Sequence, residues 1–341
     1  MIFQFFHAPT SGMLTSQLYC ATHRAMATEY SLYLYAESEP RADTLTNLAF
    51  QEIDRIENLL SHYREASELS RINREAAQAG VTTDPETFHF LENCLAWSER
   101  SHGAFDITVG SLLKCWGFFE GEGALPSVNE ISRERNRVGW HQIRLDPERR
   151  TVRFLAKGIA LDPGGIGKGY AVDRAIQILK SRGVFAAMLS SGSSTIYALG
   201  APPGEPGWKV HVPLPGAGSK TLSTVTLRDT SLSTANLSEK NFIHDGHLYG
   251  SIMDPRTLRP VERTLQVTAI SPRAIDSDAL SNALFVLDTA DRASLLEQMP
   301  HVSALVLTDR QNPSYEAIRW PAQITGLPPA QKKTFEEMNC L

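Results

Sequence analysis

Residues 161–175 read LDPGGIGKGYAVDRA. Glycines 164, 165, 167 and 169 sit between a strand-like segment, 159–161, and a helix read over 170–181. Glycine lets a backbone approach a ligand phosphate closely, and Lys168 together with the helix start favours negative charge. The spacing fits neither a Walker loop nor the dinucleotide fingerprint of a doubly wound sheet. A structural turn accounts for these glycines as well as a nucleotide does, so both readings stand.

Outward from this segment the pattern alternates irregularly. Residues 28–35, TEYSLYLY, are aromatic and branched with period two and predict a strand. Leu45, Ala49, Ile53, Ile56 and Leu60 then recur at spacings of four and three, which predicts a helix from Asp43 with Asp43 or Thr44 as its cap. Asp84 followed by Pro85 opens a second helix. Strands are expected at 152–155, 185–190, within WKVHV after Trp208, at 264–270 and at 303–308. Gly183 is placed to close the 170–181 helix in the left-handed conformation. Asp245–Gly246 marks a hairpin, because a type I′ turn needs two positive φ values. Ser277 is expected to cap a helix over 278–287. Such a mixture of hairpins and helices predicts an α+β fold.

The chain has 341 residues, 42% of them hydrophobic and 21% charged, with a formal net charge of −5. This length predicts two domains or one two-lobed unit. No apolar run approaches the roughly 18–20 residues of a membrane span, and no basic stretch offers a footprint for nucleic acid. The opening MIFQFFHAPTSGMLTSQLYC lacks the pattern of a secretory signal, which predicts a cytoplasmic address with a periplasmic lipoprotein as the alternative. Cys20, Cys94, Cys115 and Cys340 form no CxxC pair and read as incidental thiols.

Asp278 and Asn282 stand four apart on the expected helix, so their oxygens can share a hard divalent ion; an ordinary aspartate complementing the helix dipole is the competing reading. Asp106 lies in GAFDITVGSLLKCWGF, a polar loop before an apolar stretch that also reads as core. Ser67, Ser70, Arg71 and Asn73 in ASELSRIN read more naturally as a capped helix start than as a ligand site.

Taken together, AMAT at 25–28, ASELSRIN, GAFDITVG, the Trp-Gly-Phe at 116–118, GGIGKGYAVD, GWKV, DPRT and SDAL resemble, in this order, the motifs of the ApbE family of FAD:protein FMN transferases. The resemblance runs from Ala25 to about Leu287. It implies a two-lobed α+β fold with mixed or antiparallel sheets, flanking helices and a central FAD cleft. An N-terminal extension (1–24), a transferase domain (25–327) and a tail (328–341) follow from it. It further implies FAD as substrate or bound ligand, Mg²⁺ at the pyrophosphate, and transfer of FMN to a Thr or Ser of an acceptor flavoprotein. Carried over by position, Asp278, Gly167 and Asn282 fall at metal positions. Met26, Asp106, Gly165, Lys168 and Asp173 fall in cofactor-binding motifs, and Asp254 in the Asp-Pro that follows the family's catalytic histidine.

The departures from the pattern are local. The histidine position is Ser251, the threonine four residues after the metal aspartate is Asn282, the Thr-Ser-Gly motif reads Thr234-Ala235-Asn236, and the glycine after DPRT is Leu258. His247 stands four residues before Ser251, roughly 13 Å away along a strand, and cannot replace the missing histidine. A serine hydroxyl is no useful base near neutral pH. The alternatives implied are an impaired FAD-binding homologue and an FAD pyrophosphatase giving FMN and AMP.

Overall fold

Aromatic and branched residues alternate along TEYSLYLYA, and this segment forms a strand paired on both edges. The computed structural model describes residues 16–119, 121, 123–237, 240–308, 314–325 and 332–334. In chain order its first half carries β1 (Gln17–Ala25), β2 (Thr28–Ala36), α1 (Glu39–Leu60), α2 (Glu68–Glu75), β3 (Val81–Thr82), α3 (Pro85–Arg100), α4 (Gly110–Cys115), α5 (Val128–Glu134), β4 (Ile143–Asp146), β5 (Thr151–Phe154) and α6 (Gly167–Ser181). The second half carries β6 (Ala187–Ser191), β7 (Thr195–Leu199), β8 (Trp208–Pro213), β9 (Thr221–Leu227), β10 (Thr230–Asn236), β11 (Asn241–His244), β12 (His247–Gly250), β13 (Met253–Asp254), β14 (Arg259–Pro260) and β15 (Thr264–Ser271). It closes with α7 (Ala274–Val286), α8 (Thr289–Glu297), β16 (Ser303–Thr308), β17 (Ser314–Ile318) and β18 (Lys332–Thr334).

Nine strands form one sheet in the order β1-β2-β6-β7-β10-β15-β16-β17-β18, antiparallel except for the last pair. This is the α+β architecture. The period-two rule decides its layers. Ala187 and Leu189 of β6 pack under α1 and α6 with Leu45, Ile53 and Ile176, whereas Met188 between them faces Trp208 and Val210 of the β8–β9 hairpin. Val267 and Ala269 likewise face α7, whose Ala279, Leu280, Ala283 and Leu284 are buried. Fully burying a leucine-sized side chain stabilises by about 1.5–3 kcal/mol, so these two packed faces carry most of the driving force. No helix among the described residues is long and apolar enough to cross a membrane.

Several sequence expectations move by a few residues, each for an identifiable reason. Helix α1 begins at Glu39 with Ser38 as its N-cap residue, because Pro40 tolerates a first turn where no N–H partner is needed. Helix α6 begins at Gly167, three residues before the expected start. Helix α7 begins at Ala274: Asp173 of α6 accepts the N–H groups of Ala274 (2.8 Å) and Ile275 (2.9 Å), so the cap comes from a distant element. Ser277 is therefore not the cap; it is buried and bonded to the hydroxyls of Ser231 (2.8 Å) and Ser233 (2.7 Å). The segment 159–161 is no strand but makes a single bridge, Val109 to Ala160. Strand β1 starts at Gln17, so the main sheet includes residues counted on sequence as N-terminal extension, and β18 falls within the expected tail. Cys340 lies outside the described residues, and Cys20, Cys94 and Cys115 are free.

Candidate active site

The glycine run holds the site together through its internal hydrogen bonds. Asp162 accepts the Gly164 N–H at 2.7 Å, Pro163 accepts those of Ile166 (3.0 Å) and Gly167 (2.7 Å), and Oδ2 of Asp278 accepts that of Gly169 at 2.9 Å. Three of the amides thought available to a phosphate are thus used inside the turn and a fourth is taken by α7. The glycines serve close packing as well: a Cβ at 169 would stand 2.2 Å from the Ala274 carbonyl oxygen, and one at 165 would stand 3.2 Å from Cγ of Asn282. Helices α6 and α7 therefore cross at backbone contact. Asp278, 3% exposed, lies against the first turn of α6, where the helix dipole favours a negative charge.

Above this crossing opens a cavity of about 660 Å³, within the range of cofactor sites. Met26, Asp106, Gly165, Lys168, Ser251, Asp278 and Asn282 line it, as does the segment Thr234-Ala235-Asn236. Gly167, Asp173 and Asp254 do not. At Gly167, next to the lining residues Pro163 and Met26, an added Cβ would lie 3.6 Å from Cε of Met26. Asp173 caps α7; burial pushes its carboxyl up to about 6 against the opposing pull of those two amides. Asp254 pairs with Arg256, Oδ1 to Nε at 2.9 Å, and shapes the turn at 254–258.

The cavity lining is both polar and aromatic. Asp278, Asn282 and Lys168 belong to the polar part. Asn282 donates Nδ2 to the carbonyls of Gly165 (3.3 Å) and Asp278 (3.0 Å), which leaves its Oδ1 for a cation. Among the described residues no three His, Cys, Asp or Glu side chains cluster as a ready-made metal cage. One carboxylate with carbonyl oxygens is nonetheless the donor set of an ion that takes its remaining ligands from water and substrate phosphates, as Mg²⁺ does. The residues fit that ion and a dinucleotide. Tyr63, Phe118 and Phe119 belong to the aromatic part of the lining.

Asp106 is buried and accepts the Thr108 N–H (2.8 Å) and hydroxyl (2.7 Å) and the Trp140 N–H (2.7 Å). Burial raises its carboxyl above the usual range despite these donors. ASELSRIN behaves as the capped helix start expected, Ser67 accepting the Ser70 N–H at 3.0 Å. Asn73 in it binds both backbone groups of Leu161 and so fixes the approach to the glycine run.

Ser251 donates its N–H to the Lys240 carbonyl at 3.0 Å. His247 opens β12 at the exposed tip of the hairpin and does not line the cavity. His62 does line it, 3.6 Å from Asp162. Sequence reasoning passed over His62, Glu57 and Lys240. A lone histidine beyond a helix end carries no local signal, since its partner stands 100 residues further along the chain.

Comparison with known proteins places this geometry. The model of the ApbE family matches residues 26–306. An FAD:protein FMN transferase of Treponema pallidum is 31% identical over 273 residues, covering 76% of this chain and 75% of that protein. One from Klebsiella pneumoniae is 28% identical over 303 residues, covering 88% and 92%. Among solved structures, the ApbE protein of Thermotoga maritima superposes with a TM-score of 0.80 at 28% identity, covering 89% of this chain and 97% of that one. The flavinyl transferase ApbE of Pseudomonas stutzeri does so with 0.78 at 25% identity, covering 89% and 96%. With the family model matching residues 26–306 and a relative 31% identical over 273 residues, the chain belongs to the ApbE family.

Proposed function

We propose that this protein binds FAD with Mg²⁺ in the cavity above the α6–α7 crossing and transfers FMN to a threonine or serine hydroxyl of an acceptor flavoprotein, with AMP leaving. The observation that carries this reading is the buried Asp278 carboxylate held at the cavity wall beside Asn282 and Lys168. Asp278 and Oδ1 of Asn282 would hold the cation and Lys168 would meet the phosphates. Gly165, Met26 and Asp106 would border the bound dinucleotide. When bound, the cation supplies neutralisation of pyrophosphate charge, the main need of phosphoryl transfer. Asp254, through its turn, positions the strand end that carries Ser251.

Ser251 at the histidine position favours a second reading, in which FAD is held and transferred slowly, or cleaved by water to FMN and AMP. One experiment separates these. The protein is incubated with FAD, Mg²⁺ and an acceptor domain carrying the Asp-Gly-x-Thr/Ser-Gly-Ala motif, and in-gel flavin fluorescence and AMP are followed. Fluorescent acceptor with equimolar AMP is expected; AMP and free FMN without labelling would support hydrolysis. In calorimetry, Asp278→Ala is expected to remove the Mg²⁺ enhancement of FAD binding, a loss at least as large as the roughly 10–100-fold seen when mere supporting residues of metal sites are changed. An unchanged metal dependence would rule out the cation site.

A further inference from the structure

His62 stands two residues past the end of α1 and lines the cavity shared by Ser251, Asp278 and Lys168. Its side chain is 9% exposed, and neither ring nitrogen has a hydrogen-bond partner. Leaving a buried polar atom unsatisfied costs about 1–3 kcal/mol, so the placement calls for a reason beyond packing. Nε2 stands 3.6 Å from Oδ2 of Asp162, just beyond hydrogen-bond reach. Asp162 is itself buried, its Oδ1 fixed by the Gly164 N–H, and the preceding Leu161 is pinned to Asn73. The imidazole packs against Tyr63 and Phe119, ring centroids 3.9 and 5.1 Å away. The Lys240 carbonyl holds the backbone of Ser251, and the charge of the same lysine acts on His62, so the two positions border one space.

We propose that His62, oriented by Asp162, accepts the proton of the incoming acceptor hydroxyl in this chain, the task left open by serine at position 251. This rests on the transferase reading above. The hydroxyl oxygen bonds to the FMN-side phosphorus as the bridging P–O bond breaks. The electron pair leaves with AMP, and the hydroxyl proton passes to an imidazole nitrogen and then to solvent. A turn about the Cβ–Cγ bond, a broad torsion in histidine, brings one nitrogen toward the hydroxyl. Contacts such as that to Asp162 tighten in the substrate complex. Burial holds the imidazole below its ordinary value, Asp162 pulls it up, and Lys114 and Lys240 push it down. The net direction keeps the ring neutral near neutral pH, the form a base requires.

The test measures FMN transfer to the same acceptor domain, with AMP release and FAD affinity, over the range where histidine titrates. His62→Gln is expected to lower kcat by about 10²- to 10⁴-fold with FAD affinity retained, and to abolish the acidic limb of the rate profile. Adding Ser251→His to His62→Gln is expected to restore labelling, which a purely structural role for His62 would not allow. Asp162→Asn is expected to move the acidic limb to lower pH. A His62→Gln protein with wild-type kcat and an unmoved limb overturns the assignment and leaves the transferase reading standing. A wild-type protein that neither labels nor releases AMP overturns both. Should His62→Gln also lose FAD affinity, the Asp162→Asn limb decides: a shift supports the proposal and a fixed limb overturns it.

Discussion

At the scale of single residues, two non-glycine residues within the motif segments fall where the backbone favours glycine. Ala27, in the AMAT segment, has φ +57°, and Leu258, at the glycine position after DPRT, has φ +62°. A left-handed conformation costs a residue with a Cβ roughly 1–2 kcal/mol. Ala27→Gly is therefore expected to stabilise by about 1 kcal/mol, part of the strain relief being offset by the freer unfolded chain. Leu258→Gly is expected to do the opposite. Its side chain is 4% exposed in the cluster around Trp116 and Phe118, and emptying such a site costs about 2–5 kcal/mol. Urea unfolding of both variants checks the pair: midpoints moving in the same direction would refute the argument. Leu258 was legible as a motif substitution, but the sign of each change depends on a φ value, and at 258 also on burial.

At the scale of elements, the α6–α7 crossing is organised by one carboxylate in each direction. Asp278 of α7 takes an amide in the first turn of α6, and Asp173 of α6 takes the first two amides of α7. Asp173 titrates near 6 in the folded protein against an ordinary 3.8. The native state then binds the proton more tightly than the unfolded chain, so this group's stabilisation is fully present below pH 3.8 and is lost as pH rises through about 6. A shift of about two pKa units corresponds to roughly 3 kcal/mol. Asp173→Asn is expected to remove that slope from a plot of unfolding free energy against pH while keeping one cap acceptor. Parallel curves for the two proteins would show that the carboxyl is not held in this way. The sequence placed Asp173 in a nucleotide motif; its capping role was illegible because the helix it caps begins 101 residues later.

At the scale of the whole molecule, the cavity joins pieces far apart in the chain: Met26 after β1, His62 after α1, Lys168 on α6, Ser251 after β12 and Asp278 on α7. The substitutions at 251 and 282 face the same space as His62 and Asp162. Combining Ser251→His with Asn282→Thr is expected to raise the transfer rate by roughly tenfold. That is less than the ~10²–10⁴ of a base supplied where none exists, because His62 already occupies the cavity. FAD affinity should barely move, since a proton acceptor acts mainly in the transition state. Single-turnover labelling of the acceptor domain and FAD titration of both proteins test this. A large gain in affinity with no gain in rate would mean that the two positions bind and do not react.

What the sequence determined by itself was local and ordered. The periodicities placed β2, β5, β6, β8, β15 and β16 and helices α1, α3, α6 and α7 to within about four residues but not β1, β7 or β10 of the main sheet, Asp245–Gly246 formed the expected turn with φ +49° and +77°, and the succession of motifs identified the family. Asp278 and Asn282 could be paired from their spacing alone, because a helix puts positions four apart on one face. Tertiary structure decided what spacing cannot express. It turned the amides of the glycine run inward, gave Asp173 to a distant helix and started α7 three residues before the expected cap. It also brought His62 beside Asp162. Local pattern reports the conformation of a segment, whereas hydrogen-bond partners and burial depend on which segments the sheet order makes neighbours.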